Sequence, residues 1–361
     1  MQRVDVAIVG GGPAGATAAL NLAALRRVVV LERAAEPSPR IGESLPAAAH
    51  RLFRDMGLLD SFLAEPHAPC FANRSVWGAA TPLDADAVRD PDGHGWHLDR
   101  RRFEAWLRAA AMARGAQILA PAGVDCVERA GDRVRVTAGS QRIEASVIID
   151  AGGRNAPAAR RLGARVRIDD HLVCGWVHGT DARDGGRGLT YVEATRDGWW
   201  YTAPLPDRRR VLAFHTDADL PAAAITHDGA RLVAEAAAVG GLASLLAAAG
   251  FTPEDRAGFT AAHSSVLEPP CGEGFIAAGD AAIAFDPLSS QGLLNALFTG
   301  LAAAECADAY LSGDASALPR YRATLDRIAV QYRRHLAEWY AIEQRWPDAP
   351  FWSRRHAVGR G

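Results

Sequence analysis

The sequence contains no lysine: all 40 basic side chains in its 361 residues are arginine. That omission excludes a Schiff-base lysine, a lysine general base and any phosphate loop ending in Gly-Lys-Ser/Thr. Cysteine is scarce as well. The five residues at 70, 126, 174, 271 and 306 are far apart and lack Cys-x-x-Cys spacing. This argues against a disulfide framework or a zinc site and for a reducing compartment. Charge of either sign is not in excess, the net being −2, so there is no electrostatic footprint for nucleic acid. The arginine triplets at 100–102 and 208–210 are too short to alter that and read as solvated faces or local anion contacts. Long apolar runs are also missing. The most apolar stretch, residues 232–250, contains Glu235 and Gly240-Gly241 and reads as one alanine-rich soluble helix rather than a membrane span. The N-terminus carries Asp5 and three consecutive glycines where a signal peptide would need an apolar core. The expectation is a cytoplasmic protein with no membrane span.

Alanine is abundant, at 74 positions, a bias that GC-rich coding alone could produce. Hydrophobic residues at 49% and charged residues at 23% match an ordinary globular protein. A chain of this length can bury a large core and should divide into two domains or form one elaborate one.

The strongest motif opens the chain. Residues 4–9 are a short apolar run of the kind found in buried parallel strands, and it meets Gly10-Gly11-Gly12-Pro13-Ala14-Gly15. An Ala/Leu-rich helix to about Leu25 follows, then a second apolar strand, 28–31, ending on Glu32. Gly10 permits a tight turn, Gly12 lets a pyrophosphate approach the backbone, and Gly15 lets helix and strand pack closely. Pro13 suits the first helical turn, and the helix N-terminus offers exposed N–H groups to the phosphates. Glu32 lies where a carboxylate can accept hydrogen bonds from an adenosine ribose. Strand, turn, helix, strand and acid in this order point to a bound dinucleotide.

At the other end, Phe275-Ile276-Ala277-Ala278-Gly279-Asp280 is an apolar strand running into Gly-Asp. Asp286-Pro287-Leu288-Ser289-Ser290-Gln291-Gly292 and a helix from about Leu293 follow. This pairing resembles the two FAD fingerprints of the para-hydroxybenzoate hydroxylase superfamily. The resemblance implies FAD, with Asp280 on the ribityl chain and Pro287, Gly292 and Leu293 along the isoalloxazine. It extends to Asp99-Arg100, where Arg100 contacts the flavin side while Asp99 also suits a helix N-cap. It places Val124 against adenine and adds Ala14, Arg33, Ser44 and Gly279 to the cofactor contacts. Ile148-Ile149-Asp150-Ala151-Gly152-Gly153-Arg154 is similar to the superfamily's central segment but departs from the Asp-Gly form of the aromatic hydroxylases. No second GxGxxG is present to bind a nicotinamide, so the reductant is either NAD(P)H or reduced flavin.

The implied fold is α/β, with α+β character in the substrate part. A Rossmann-like FAD domain (1–70, 98–165 and 265–305) carries an inserted mixed β-sheet substrate domain (71–97 and 166–264), followed by a C-terminal helical cap (306–361). Strand-like runs at 189–192, 199–203 and 210–215 should build the inserted sheet. Helical periodicity in Leu325, Ile328, Tyr332, Leu336 and Trp339 suggests the cap.

Gly42-Glu43-Ser44-Leu45-Pro46 and Gly198-Trp199-Trp200-Tyr201 resemble the flavin-dependent halogenase branch. Those enzymes need a lysine that this chain lacks, and arginine, always protonated, is a poor substitute. Residues 286–292, Ser75-Val76-Trp77-Gly78 and the Arg345-Trp346-Pro347…Phe351-Trp352 tail are similar to flavoproteins that mature tryptophylquinone enzymes by hydroxylating a precursor tryptophan. That resemblance implies a monooxygenase working through a flavin C4a-hydroperoxide on an aromatic substrate carried by a protein or peptide. Trp77, Trp199, Trp200 and Tyr201 are the candidates to line the substrate site, although strand aromatics also serve sheet packing. Glu43 and His97 are the acid–base candidates, since restoring ring aromaticity after oxygen attack requires removal of a proton. Two other readings stay open: a flavin reductase of prenyl-type double bonds, and a non-catalytic FAD-bound assembly factor.

Overall fold

The computed structural model describes residues 1–87, 90–183 and 188–358. Valine- and isoleucine-rich runs that are apolar on both faces become the inner strands of a parallel sheet. Gln141–Asp150, Gln2–Val9, Val28–Leu31 and Gln117–Leu119 lie side by side and parallel, with Phe275–Ala277 parallel on the far side of Gln141–Asp150. A hairpin of Cys126–Ala130 and Arg133–Ala138 adds to the sheet through antiparallel pairing with the first half of Gln141–Asp150. Helix Pro13–Leu22 packs against this sheet, against the long helix Gly292–Leu311, which also touches the sheet, and against helix Arg100–Ala113. Asp99 caps the last of these, accepting the Arg102 N–H at 3.0 Å.

Among the described residues a second sheet has seven strands. Its order is Phe251–Ala261, Leu172–Asp181, Arg209–Asp217, Gly198–Pro204, Leu189–Thr195, Ala72–Val76 and Leu83–Asp86. All neighbours are antiparallel except Leu189–Thr195 with Ala72–Val76. The three strand-like runs read from the sequence are inside it, each a few residues longer than its apolar pattern.

The apolar stretch at 232–250 is not one helix. It contributes to two, Gly229–Ala236 and Gly240–Ala249, bent by 105°. The break falls at 237–239, and the second helix is restarted by Glu193, whose carboxylate accepts the Leu242 N–H at 2.9 Å. Among the described residues no single helix is long and apolar enough to cross a membrane.

The C-terminal part consists of helices Ala317–Ile342 and Pro350–Val358. The buried stripe of the first runs through Tyr321, Leu325, Tyr332 and Tyr340. Trp339, expected on that stripe, is 51% exposed, because 3.6-residue periodicity carries the stripe past it to Tyr340. Phe351 and Trp352 of the tail are fully buried against the inner face of the second sheet, and Trp352 Nε1 donates to the Thr195 carbonyl at 2.9 Å.

Candidate active site

A cavity of about 940 Å³ runs between the two sheets, from the first glycine turn to the loop before helix Gly292–Leu311. At its first end Gly10 has φ +97°, and a Cβ there would collide with the Ala151 carbonyl. A Cβ on Gly15 would collide with the Gly10 carbonyl oxygen, so strand and helix meet as closely as backbone allows. Gly12 differs: a Cβ there meets nothing within 4 Å. It is the N-cap of helix Pro13–Leu22, without a side-chain cap and with no acid in the first turn. Free N–H groups, the positive end of the helix dipole and open space in front of them fit a pyrophosphate.

Glu32 borders this end, and its carboxylate is already engaged. It accepts the Gly11 N–H at 2.6 Å and the Ala34 N–H at 2.9 Å, and lies 3.4 Å from Arg108 Nη2. Arg33 and Val124 line the same end. Gly15 and Gly279 stand behind the wall: the Gly279 N–H, at φ +60°, is tied to Thr299 Oγ1 at 2.8 Å.

At the other end Asp280, Pro287, Gly292 and Leu293 line the cavity. Helix Gly292–Leu311 begins here without a side-chain cap, presenting a second free N-terminus. The preceding loop is held from the C-terminal cap. Tyr340 donates its hydroxyl to Asp286 Oδ2 at 2.7 Å, and the Tyr332 hydroxyl accepts the Asp286 N–H at 2.7 Å. Burial, reinforced by Asp170, pushes the Asp286 carboxyl up to about 6. Between the two ends, Arg100 donates to the Gly42 carbonyl at 2.7 Å and pairs with Glu104 at 2.7 Å, fixing the segment that carries Glu43 and Ser44.

The second sheet roofs the cavity with two cross-strand rows. Thr260, Cys174, His215 and Trp199 stand opposite one another in the first; Gly258, Trp176, Ala213 and Tyr201 form the second. Trp199 stacks on His215 with ring centroids 3.6 Å apart and planes 5° from parallel. Trp199 Nε1 and His215 Nδ1 are buried with no hydrogen-bond partner, and burial drives the His215 imidazole down to about 3, so it is neutral.

Alternation along strand Gly198–Pro204 divides the three substrate candidates it carries. Trp199 and Tyr201 face the cavity. Trp200 faces the other way, packed on Phe214 at 4.6 Å beneath helices Gly229–Ala236 and Gly240–Ala249. Trp77 is also outside the cavity lining: its indole N–H donates to the Trp339 carbonyl at 2.9 Å and its ring packs against Tyr340 and Trp352. The acid–base candidates separate too. Glu43 lines the cavity, accepts the Gly42 N–H at 2.8 Å and meets His178 Nε2 at 3.1 Å. His97 does not reach the cavity. It is fully buried on the strand Gly95–His97, bonded to Thr190 Oγ1 at 2.7 Å, and burial together with Arg210 depresses it to about 3.

The sequence pattern of the FAD binding domain family matches residues 3–317. The chain belongs to that family. It is an FAD-dependent enzyme, and the two free helix N-termini and the space before Gly12 suit that cofactor. Over almost the full length of both chains, 99% of this one and 98% of the other, it is 28% identical to LodB of Marinomonas mediterranea, named as an FAD-dependent oxidoreductase. Among solved structures it superposes on CmlS, a flavin-dependent halogenase, with TM-score 0.84 and 27% identity over 98% of this chain and 68% of that one. It also shares its fold with QhpG, a peptidyl tryptophan dihydroxylase essential for tryptophylquinone cofactor biogenesis. There the TM-score is 0.78 and the identity 23%, over 98% and 78% of the two chains.

Several residues of this FAD-family site are not evident from the motifs. Arg108 ties Glu32 to the glycine turn, donating from Nε to the Gly11 carbonyl at 2.8 Å. Its signal was the spacing of Arg100, Glu104 and Arg108, which share one helical stripe. Trp176, Cys174, His178 and His215 follow from strand alternation only once the pairing of four distant strands is known. Asp150 serves the fold: its carboxylate accepts the N–H groups of Ala158 and Ala159, each at 2.8 Å.

Proposed function

We propose that this FAD-family protein is a monooxygenase that hydroxylates an aromatic ring, namely a tryptophan side chain of a protein or peptide during quinone-cofactor biogenesis. One observation carries the reading. A single cavity joins the FAD fingerprint residues to an aromatic face, Trp176, Trp199 and Tyr201, and the buried carboxylate of Glu43 is part of the same lining. In net terms one atom of O2 replaces a ring hydrogen as hydroxyl and the other leaves as water. NAD(P)H or reduced flavin provides the two electrons, and the displaced ring proton must be accepted.

FAD, when bound and reduced, supplies the activation of oxygen. The chain supplies the rest. The N-termini at Pro13 and Gly292 hold negative charge along the cofactor. The aromatic rows orient an indole and exclude water. Glu43 accepts the ring proton. We assign cofactor holding to 1–70, 98–165 and 265–305, substrate contact to 71–97 and 166–264, and bracing of the Asp286 loop to 306–361. A protein substrate fits the rim, where Phe259, 48% exposed on the outer strand of the roof, borders the cavity. The full-length similarity to LodB supports FAD-dependent oxidoreductase chemistry, and the fold shared with a peptidyl tryptophan dihydroxylase supports a tryptophan side chain as the target. Halogenation is disfavoured despite the likeness to CmlS, because the sequence holds no lysine.

The test is incubation of the FAD-loaded protein with a reductant, oxygen and a tryptophan-containing peptide, with and without chloride, followed by mass spectrometry. The mass of one or two added oxygen atoms on tryptophan is expected. A chlorinated product, or oxygen-independent saturation of a prenyl chain, would overturn the reading.

A further inference from the structure

We propose that His178 is the positioning residue for Glu43, holding its carboxylate aimed at the cavity. This rests on the reading of Glu43 as the proton acceptor. Both side chains are buried, Glu43 2% and His178 6% exposed, with Glu43 Oε1 3.1 Å from His178 Nε2. A carboxylate so buried needs donors on both oxygens, because desolvation of an unpaired oxygen is not repaid. Oε2 has the Gly42 N–H at 2.8 Å, in a segment fixed by Arg100 on the cofactor side. Oε1 has His178, on strand Leu172–Asp181 of the roof. The carboxylate is thus clamped from both sides of the cavity.

No other group on that strand face takes the role. Cys174 turns its Sγ onto the Gly175 carbonyl at 3.7 Å. Trp176 offers its ring to the imidazole, with centroids 4.7 Å apart, and so fixes the plane from which Nε2 donates. His178 does not line the cavity, whereas Glu43 and Trp176 do, so it acts on the substrate only through Glu43. The ring carbon gives its proton to Glu43, and the hydrogen bond from His178 keeps the receiving lone pair pointed at it. Leaving Glu43 with one donor lets the carboxylate swing away from the ring, and the base is lost.

The experiment compares the FAD-loaded wild type with His178→Leu and His178→Gln, using a tryptophan-containing peptide as probe. For His178→Leu, kcat for hydroxylation falls at least tenfold while KM and bound FAD hold, the melting temperature drops because a buried carboxylate oxygen loses its donor, and hydrogen peroxide formed per oxygen consumed rises. His178→Gln, whose amide can donate to the same oxygen, recovers most of kcat. A Leu variant within twofold of wild type, or a Gln variant no better than Leu, would overturn the assignment. If wild type itself yields no hydroxylated peptide, the hydroxylase reading fails, and the pairing is judged by 15N NMR of the histidine rings. A protonated Nε2 signal for His178 that moves in Glu43→Gln keeps the clamp; an unmoved signal removes it.

Discussion

Replacing Gly12 and Gly15 by alanine separates cofactor binding from folding within one short motif. A methyl group on Gly12 meets nothing within 4 Å, and its φ of −74° and ψ of −172° suit alanine as well as glycine. The cost at the N-cap is a few tenths of a kcal/mol, offset in part by a less flexible unfolded chain. The cofactor-free protein should therefore melt within about 2 °C of wild type, the shift expected for under 1 kcal/mol in a chain of this size. That methyl stands where the pyrophosphate must come to reach the helix N–H groups. Losing one charge-assisted hydrogen bond there costs roughly 1.5–3 kcal/mol, a tenfold to hundredfold rise in the FAD Kd. Gly15→Ala is different in kind, because its methyl is driven into the Gly10 backbone with no flexible side chain to yield. It should lose about 3 kcal/mol or more of stability together with FAD binding. Flavin fluorescence titration and thermal melting of the cofactor-free proteins read the two effects separately. A Gly12→Ala protein that binds FAD like wild type would refute this placement of the pyrophosphate.

Other perturbations probe the rest of the cavity. Glu43→Gln should retain FAD and lose on the order of a hundredfold in hydroxylation rate; unchanged turnover would remove Glu43 from the chemistry. Trp200→Ala should cost about 3–5 kcal/mol of stability by denaturant unfolding yet leave KM for a tryptophan-containing peptide unaltered, whereas Trp199→Phe should raise that KM. The reverse pattern would mean that the roof is assigned to the wrong face. Asp286, raised by burial from 3.8 to about 6, stabilises the fold fully below pH 4 and loses that contribution as pH rises through 6. Relative to Asp286→Asn, wild type should therefore lose roughly 3 kcal/mol between pH 4 and 7, read as a falling difference in melting temperature. A flat difference would contradict the raised carboxyl.

The cofactor half of the site was legible because its chemistry is local. Gly10, Gly12 and Gly15, the acid at 32 and the Gly279-Asp280 pair sit at strand ends and strand-to-helix turns whose spacing the sequence carries; Gly10, Gly12, Glu32 and Asp280 line the cavity, while Gly15 and Gly279 stand behind its wall. The substrate half depends on pairing between distant strands. Trp199, Trp200 and Tyr201 look alike in sequence, and only the position of the sheet between cavity and helices decides that the middle one turns away. His97 has the composition of a catalytic base, but strand Gly95–His97 aims it into the core, where burial and Arg210 keep it neutral. His178 was invisible for the converse reason, an isolated histidine in an apolar strand whose partner lies 135 positions away. Missing lysine remained informative throughout, since no fold can supply a residue that the chain does not contain.

The central claim, oxygen transfer to a tryptophan ring, is tested most directly with isotopically heavy oxygen gas. FAD-loaded protein, a reductant and a tryptophan-containing protein or peptide substrate should yield a product whose indole carries oxygen from the gas and none from water, with no halogen even in excess chloride. An indole that gains chlorine, or oxygen drawn from water, would contradict the account.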